Sequence, residues 1–183
     1  VAAIEELSGR TCVWATAQYL SYARTGETMD VDVTLAVVGH QITQARAVCR
    51  VGDREILTVN AAVGARPFEY AHSFVKMPDV PPPSALKQRA HRSDVSNTIH
   101  EKMEERFVIG RELEELDEVP NDGRTLMWAR IPDVIDGVDT ATLAVLGDFV
   151  PMGVGQALGI RGGGNSLDNT LRVVRLVPTK WVL

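Results

Sequence analysis

The stretch TMDVDVTLAVVGHQITQARAVCRVGDREILTVNAAVG, residues 28–64, decides the fold. Met29, Val31, Val33, Leu35 and Val37 alternate with Asp30, Asp32, Thr34 and Ala36. Successive side chains leave a strand on opposite faces, so this alternation marks an antiparallel strand with one face buried. Gly39-His40 breaks the run, and residues 41–51 resume it with polar and charged side chains on alternate positions. Gly52-Asp53 breaks it again, and residues 55–63 read as a further strand. Short turns between such runs make a meander.

Working outward, residues 11–22 read as another strand, ended by Arg24-Thr25-Gly26. Residues 1–7 read as the end of a helix that Ser8-Gly9 stops. One helix followed by a run of strands is an α+β pattern. The chain starts inside a helix pattern without an initiating Met, so the expectation is a fragment, incomplete at its ends.

MPDVPPP, residues 77–83, interrupts this pattern. Proline removes a backbone donor and pushes its predecessor to extended geometry, so the segment reads as a linker. Residues 84–103 are charged and polar and read as a surface excursion, with the basic run from Lys87 to Arg92 as its solvated face. A second structured unit begins near Arg106. Residues 107–116 and 124–131 read as strands, 140–158 as a buried helix broken at its middle, and 166–176 and 179–183 as strands again. Gly162-Gly163-Gly164 reads as a connection; no GK[ST] follows, so it is not a phosphate loop. At an offset of 150 residues, Thr16 falls on Ser166, Gln18 on Asp168, Val31 on Trp181 and Val33 on Leu183. The same order of helix, strand, turn and strand suggests two copies of one unit. The expected boundaries are 1–76, a linker at 77–104, and 105–183.

Composition narrows the function. Of the 183 residues, 45 % are hydrophobic and 23 % charged, the usual range for a globular protein. No run is long and apolar enough to predict a membrane helix, and no signal peptide is visible. A net charge of −5 with scattered basic residues gives no reason to expect nucleic acid or an anionic membrane as partner. Cys12 and Cys49 have no metal-like spacing, which fits free thiols buried as small hydrophobes in a reducing cytoplasm. His40, His72, His91 and His100 show no ligand spacing and read as surface or turn residues. Neither a metal nor an organic cofactor is implied.

One residue stands apart. In GDFVPMGVGQALG, residues 147–159, Asp148 is the only charged side chain between Asp139 and Arg161. It reads either as the N-cap of a helix over 149–158, with Pro151 in the first turn, or as a general base. Burial would raise its pKa toward neutrality. Ser166, taken alone, reads as a polar residue at a loop-to-strand junction. Asp168 and Asn169 read as the start of the strand, with hydrogen bonding around a site as the alternative.

Several segments resemble the acyl-CoA thioesterase II family and its actinobacterial relatives. These are GHQITQARAV (39–48), VGDREILTVNAAVG (51–64), MPDVPPP (77–83), RFVIGRELEE (106–115), GRTLMWARIP (123–132), LAVLGDFVP (143–151) and NSLDNTLRV (165–173). The resemblance covers nearly the whole chain and rests on order and spacing. It implies a tandem (double) hotdog, an antiparallel sheet wrapped around a helix in each half. It also implies hydrolysis of acyl-CoA to free acid and CoA, with the acyl chain in an apolar channel between helix and sheet. The family's catalytic Asp matches Asp148. Its hydroxyl partner, two residues before an Asp at the start of a strand, matches Ser166 before Asp168. Gly147 and Asp168 would contact substrate, and a third residue, a Gln on a late strand, would fall beyond Leu183. Double hotdogs pair further, so a homo-oligomer is expected. Two rivals stand beside this reading: a hotdog hydratase or dehydratase, which would need a His near Asp148, and a degenerate hotdog that only binds acyl-CoA.

Overall fold

The computed structural model describes residues 1–67, 72, 74–90, 98–132, 136–148, 150–162 and 164–183, with backbone alone at 150 and 151. The expectations for His91, for a helix start at Phe149 and for Gly163 fall outside the described residues. The chain forms two compact units. The first comprises Val1–His72, Asp139–Gly147 and Ser166–Leu176; the second comprises Ser73–Val138, Asp148–Asn165 and Val177–Leu183. The units therefore alternate along the chain, instead of following one another as blocks 1–76 and 105–183.

The first unit is a helix on a five-stranded sheet. Helix α1 (Ala2–Ser8) stops at Gly9, whose φ of 64° is the left-handed cap that glycine adopts without a Cβ penalty. Strands β1 (Cys12–Tyr19), β2 (Asp30–Val38), β3 (Ile42–Val51) and β4 (Arg54–Gly64) follow. They match the four strands read from the alternation. A late strand, β7 (Asp168–Arg172), completes the antiparallel order β2-β3-β4-β1-β7.

The meander is β2-β3-β4 only. Strand β1 does not pair with β2; it lies on the far side of β4, with Ala15 opposite Ala61. Alternation marks a strand's faces but not its neighbours. The offset of 150 also has a different meaning from a repeat. Gln18 and Asp168 are register partners across the β1–β7 ladder, as are Thr16 and Thr170.

The core of this unit follows from side-chain size. Ile4 of α1 is fully buried against Cys12, Ala15, Ala45, Ala47, Val59, Ala61 and Val63. Alanines on the central strands let the helix approach the sheet closely. Burying Ile4 contributes about 1.5–3 kcal/mol. Strand β2 is an edge: Val33 and Leu35 pack against the core, while Val31, Val37 and Val38 are exposed. Both cysteines are buried, as expected, and burial pushes their thiols up. The unit also holds helix α2 (Thr140–Leu146), whose N-cap Asp139 accepts from the Thr142 amide at 2.7 Å.

In the second unit, β5 (Glu104–Ile109) pairs with β6 (Leu126–Arg130), and Val182 bridges to Ala129. Residues 77–82 form no ladder and lead into a 3-10 turn at Pro83–Ala85; the segment is part of the second unit. The strand read over 107–116 stops at Ile109. Beyond it, the glutamates of ELEE form a 3-10 turn (Leu113–Glu115), because Glu112 and Glu115 make a reciprocal capping box. The strand read at 179–183 reduces to the Val182 bridge. The broken helix is present: α2 ends at Leu146 and α3 runs Val150–Leu158. Among the described residues no helix is long and apolar enough to cross a membrane.

Candidate functional site

Asp148 lies in the break between α2 and α3, after Gly147, which closes α2 by donating its amide to Leu143 O at 2.9 Å. It is exposed, so the burial assumed in reading it as a base is not its setting here. Asp168 opens β7, as its place in the sequence motif requires, and it is exposed opposite Gln18. Ser166 lies two residues before it and is half-buried. Asp148 belongs to the second unit; Gly147, Ser166 and Asp168 belong to the first.

One hydrogen bond inside the first unit brings the two motif-bearing segments together. Asn169, in β7, donates from Nδ2 to Ala144 O of α2 at 3.2 Å. Asn169 is three residues beyond Ser166, and Ala144 is four residues before Asp148. A strand amide here satisfies a carbonyl in the last turn of a helix, one of the groups a helix leaves without an internal partner.

A second polar cluster in the first unit was not legible beforehand. Glu5 Oε1 accepts from the Cys12 amide at 2.6 Å and from Thr140 Oγ1 at 2.7 Å. Thr140 is almost fully buried. The carboxylate thus ties α1, β1 and α2 together beside an open cleft of about 320 Å³ that Arg10 and Asp139 also line. Arg10 is already engaged, donating to Gly39 O at 2.9 Å and Thr43 Oγ1 at 3.0 Å. Hydrogen bonds from the Thr142 hydroxyl and then its amide hold the Asp139 carboxyl below the usual range. The run Asp-Thr-Ala-Thr at 139–142 was the available signal, since an Asp three residues before an amide it can cap marks a helix start.

In the second unit, α3 is held from two directions. Gln156 is buried and pairs with the Arg111 backbone in both senses: the Arg111 amide donates to Oε1 at 2.6 Å, and Nε2 donates to Arg111 O at 2.7 Å. At the start of the helix, Arg89 Nη1 lies 3.2 Å from Met152 Sδ. Neither partner of α3 was anticipated. His40, His72 and His100 are exposed, as expected of surface or turn residues. Among the described residues no group of three or more His, Cys, Asp or Glu side chains could hold a metal ion.

An antiparallel sheet packed on a short helix is the arrangement of a hotdog-class protein. No family model matches the chain, and no curated protein does. Solved structures do. A Novosphingobium aromaticivorans protein, provisionally described as a thioesterase, is 30% identical, with a TM-score of 0.79 over 97% of this chain and 67% of its own. A hot dog fold protein of unknown function from Alicyclobacillus acidocaldarius is 18% identical, with a TM-score of 0.76 over 95% and 65%. An acyl-CoA thioesterase II of Mycobacterium marinum is 16% identical, with a TM-score of 0.66 over 94% and 66%. The chain spans about two thirds of the length of each. It belongs to the thioesterase family of the Novosphingobium protein and shares the hotdog fold of the others.

Proposed function

We propose that the protein is an acyl-CoA thioesterase with a double-hotdog fold. The observation that carries the reading is the Asn169–Ala144 hydrogen bond, which joins the strand start bearing Ser166 to the helix leading into Asp148.

In this reading Asp148 takes a proton from water as the oxygen attacks the thioester carbonyl carbon. The tetrahedral intermediate collapses, the C–S bond breaks, and the CoA thiolate takes up the proton. Ser166 orients the water by donating or accepting. Gly147, without a side chain, lets substrate approach, and Asp168 borders the site. Asp148 is exposed here, so in this reading the bound acyl-CoA itself excludes bulk water from the carboxylate. The acyl chain would lie against apolar side chains between helix and sheet. No cofactor enters this chemistry.

The test is release of free thiol from acyl-CoA esters of several chain lengths. Asp148→Asn should lose about 10²–10⁴-fold in kcat, the usual contribution of a general base. Ser166→Ala should lose less. A protein that releases no thiol from any ester, yet binds acyl-CoA, is the non-catalytic hotdog instead. Activity surviving in Asp148→Asn moves the base elsewhere and leaves the reaction class standing.

A further inference from the structure

Resting on the assignment of Asp148 as base, we propose that Arg89 is its positioning residue, clamping the first turn of α3, into which Asp148 leads.

Arg89 lies in a segment without regular structure, in the basic run that reads as a solvated linker face. Yet its side chain is only 13% exposed. Its amide donates to Glu105 O at 2.8 Å, and Nη1 donates to Glu105 Oε2 at 2.8 Å, a two-point attachment to β5. Nε lies 3.5 Å from Glu112 Oε2, and the guanidinium sits over the Phe107 ring at 4.9 Å. The same Nη1 reaches Met152 Sδ.

One planar cation therefore joins β5, the cap of the 3-10 turn and the start of α3. All of these belong to the second unit, as does Asp148. Glu105 is nearly buried, so it fixes the guanidinium, and the guanidinium in turn fixes Met152. The Gln156–Arg111 pair holds α3 further along and does not reach this turn. A lysine could satisfy Glu105 as a point charge, but it has no fork to reach Glu112 and Met152 at once. A general base displaced by a fraction of an ångström loses rate without losing substrate affinity.

The test uses Arg89→Lys and Met152→Leu in the full-length protein. Steady-state kinetics on an acyl-CoA ester are combined with hydrogen exchange of the peptide covering 150–158. Arg89→Lys should lower kcat about tenfold with KM within about twofold. It should speed exchange in α3 and leave β3 and β4 unchanged. Met152→Leu should move both readouts the same way by less. In Asp148→Asn, adding Arg89→Lys should cause no further loss. Unchanged kcat and unchanged α3 exchange in Arg89→Lys would overturn the proposal. So would kcat and KM shifting together with faster exchange across the whole second unit, because Arg89 would then only support folding. A wild-type protein that hydrolyses no ester removes Asp148 as base and the positioning role with it. Exchange in α3 would still report whether the clamp exists, so the two failures are distinguishable.

Discussion

The two units are built from different materials. The first packs Ile4 onto a floor of alanines, valines and a cysteine, with its ion pairs on the exposed faces, as in Arg50 with Asp32 and Glu55. In the second, the fully buried apolar residues among those described are Met103, Ala129 and Ile131. Arginines do the joining there. Arg89 holds Glu105. Arg106 donates to Pro83 O at 2.8 Å and Leu86 O at 2.9 Å, and Arg130 holds Glu104 at 2.7 Å. Arg106 and Arg130 both lie over the Trp181 ring, at 5.3 and 4.6 Å. A unit with little apolar core can still be ordered if each buried cation meets a carboxylate, a carbonyl or an aromatic face. The lesson is that the two halves should fail differently.

The largest contrast comes from breaking one buried pair. Glu105→Leu leaves Arg89 poorly compensated and should cost about 3–5 kcal/mol in urea unfolding. Adding Arg89→Met should recover most of that loss, since two apolar groups replace two charges. A double variant as unstable as the single would mean that the arginine's other contacts, not charge pairing, hold the unit.

Next, Ile4→Ala opens a cavity in the first unit and should cost roughly 3 kcal/mol, read as a lower denaturation midpoint at unchanged slope. A cost below about 1 kcal/mol would show that the helix is not the lid of that core. No second substitution should rescue it by charge.

Gly64 closes β4 with φ at 137°, and a Cβ there would stand 2.1 Å from Gln41 O. Gly64→Ala should cost about 2 kcal/mol or more through backbone strain. A thermal melt matching wild type would place the end of β4 elsewhere.

The smallest effect is Asp139→Ala, which removes the cap of α2 and should cost about 1 kcal/mol at neutral pH. The folded Asp139 carboxyl is held below its ordinary value, chiefly by Thr142. Its stabilisation is therefore complete above the ordinary Asp range and fades as pH falls through the lowered folded value. The gap between variant and wild type should narrow on acidification; a gap that widens would contradict the cap.

This difference in material also explains what was legible. Alternation in residues 28–38 gave the strand, but of its apolar face only Val33 and Leu35 reach the core; Met29, Val31 and Val37 are exposed because the strand lies at the sheet edge. Glycines and Pro151 gave the break between α2 and α3. The pairing of β1 with β4 and β7 was hidden, since periodicity carries no information about partners distant in the chain. The second unit was read least well. An arginine in a sequence looks solvated, and nothing local in KQRAHR (87–92) says that Arg89 will meet Glu105 and Met152. Of the candidate site, the chain positions of Asp148, Ser166 and Asp168 relative to α3 and β7 were readable. The exposure of Asp148 was not, because it depends on what folds around the break.

The β1–β7 ladder has a consequence for biosynthesis. Strand β1 is synthesised about 150 residues ahead of the partner of one of its edges, residues 168–172. Until then the nascent sheet carries an open edge of unpaired amides and carbonyls, the kind of template on which neighbouring chains associate. Pairings this distant in sequence also slow folding, since loop closure comes before any contact rewards it. Strand β7 therefore protects an edge of β1, and chains stalled between the two should be more prone to aggregate.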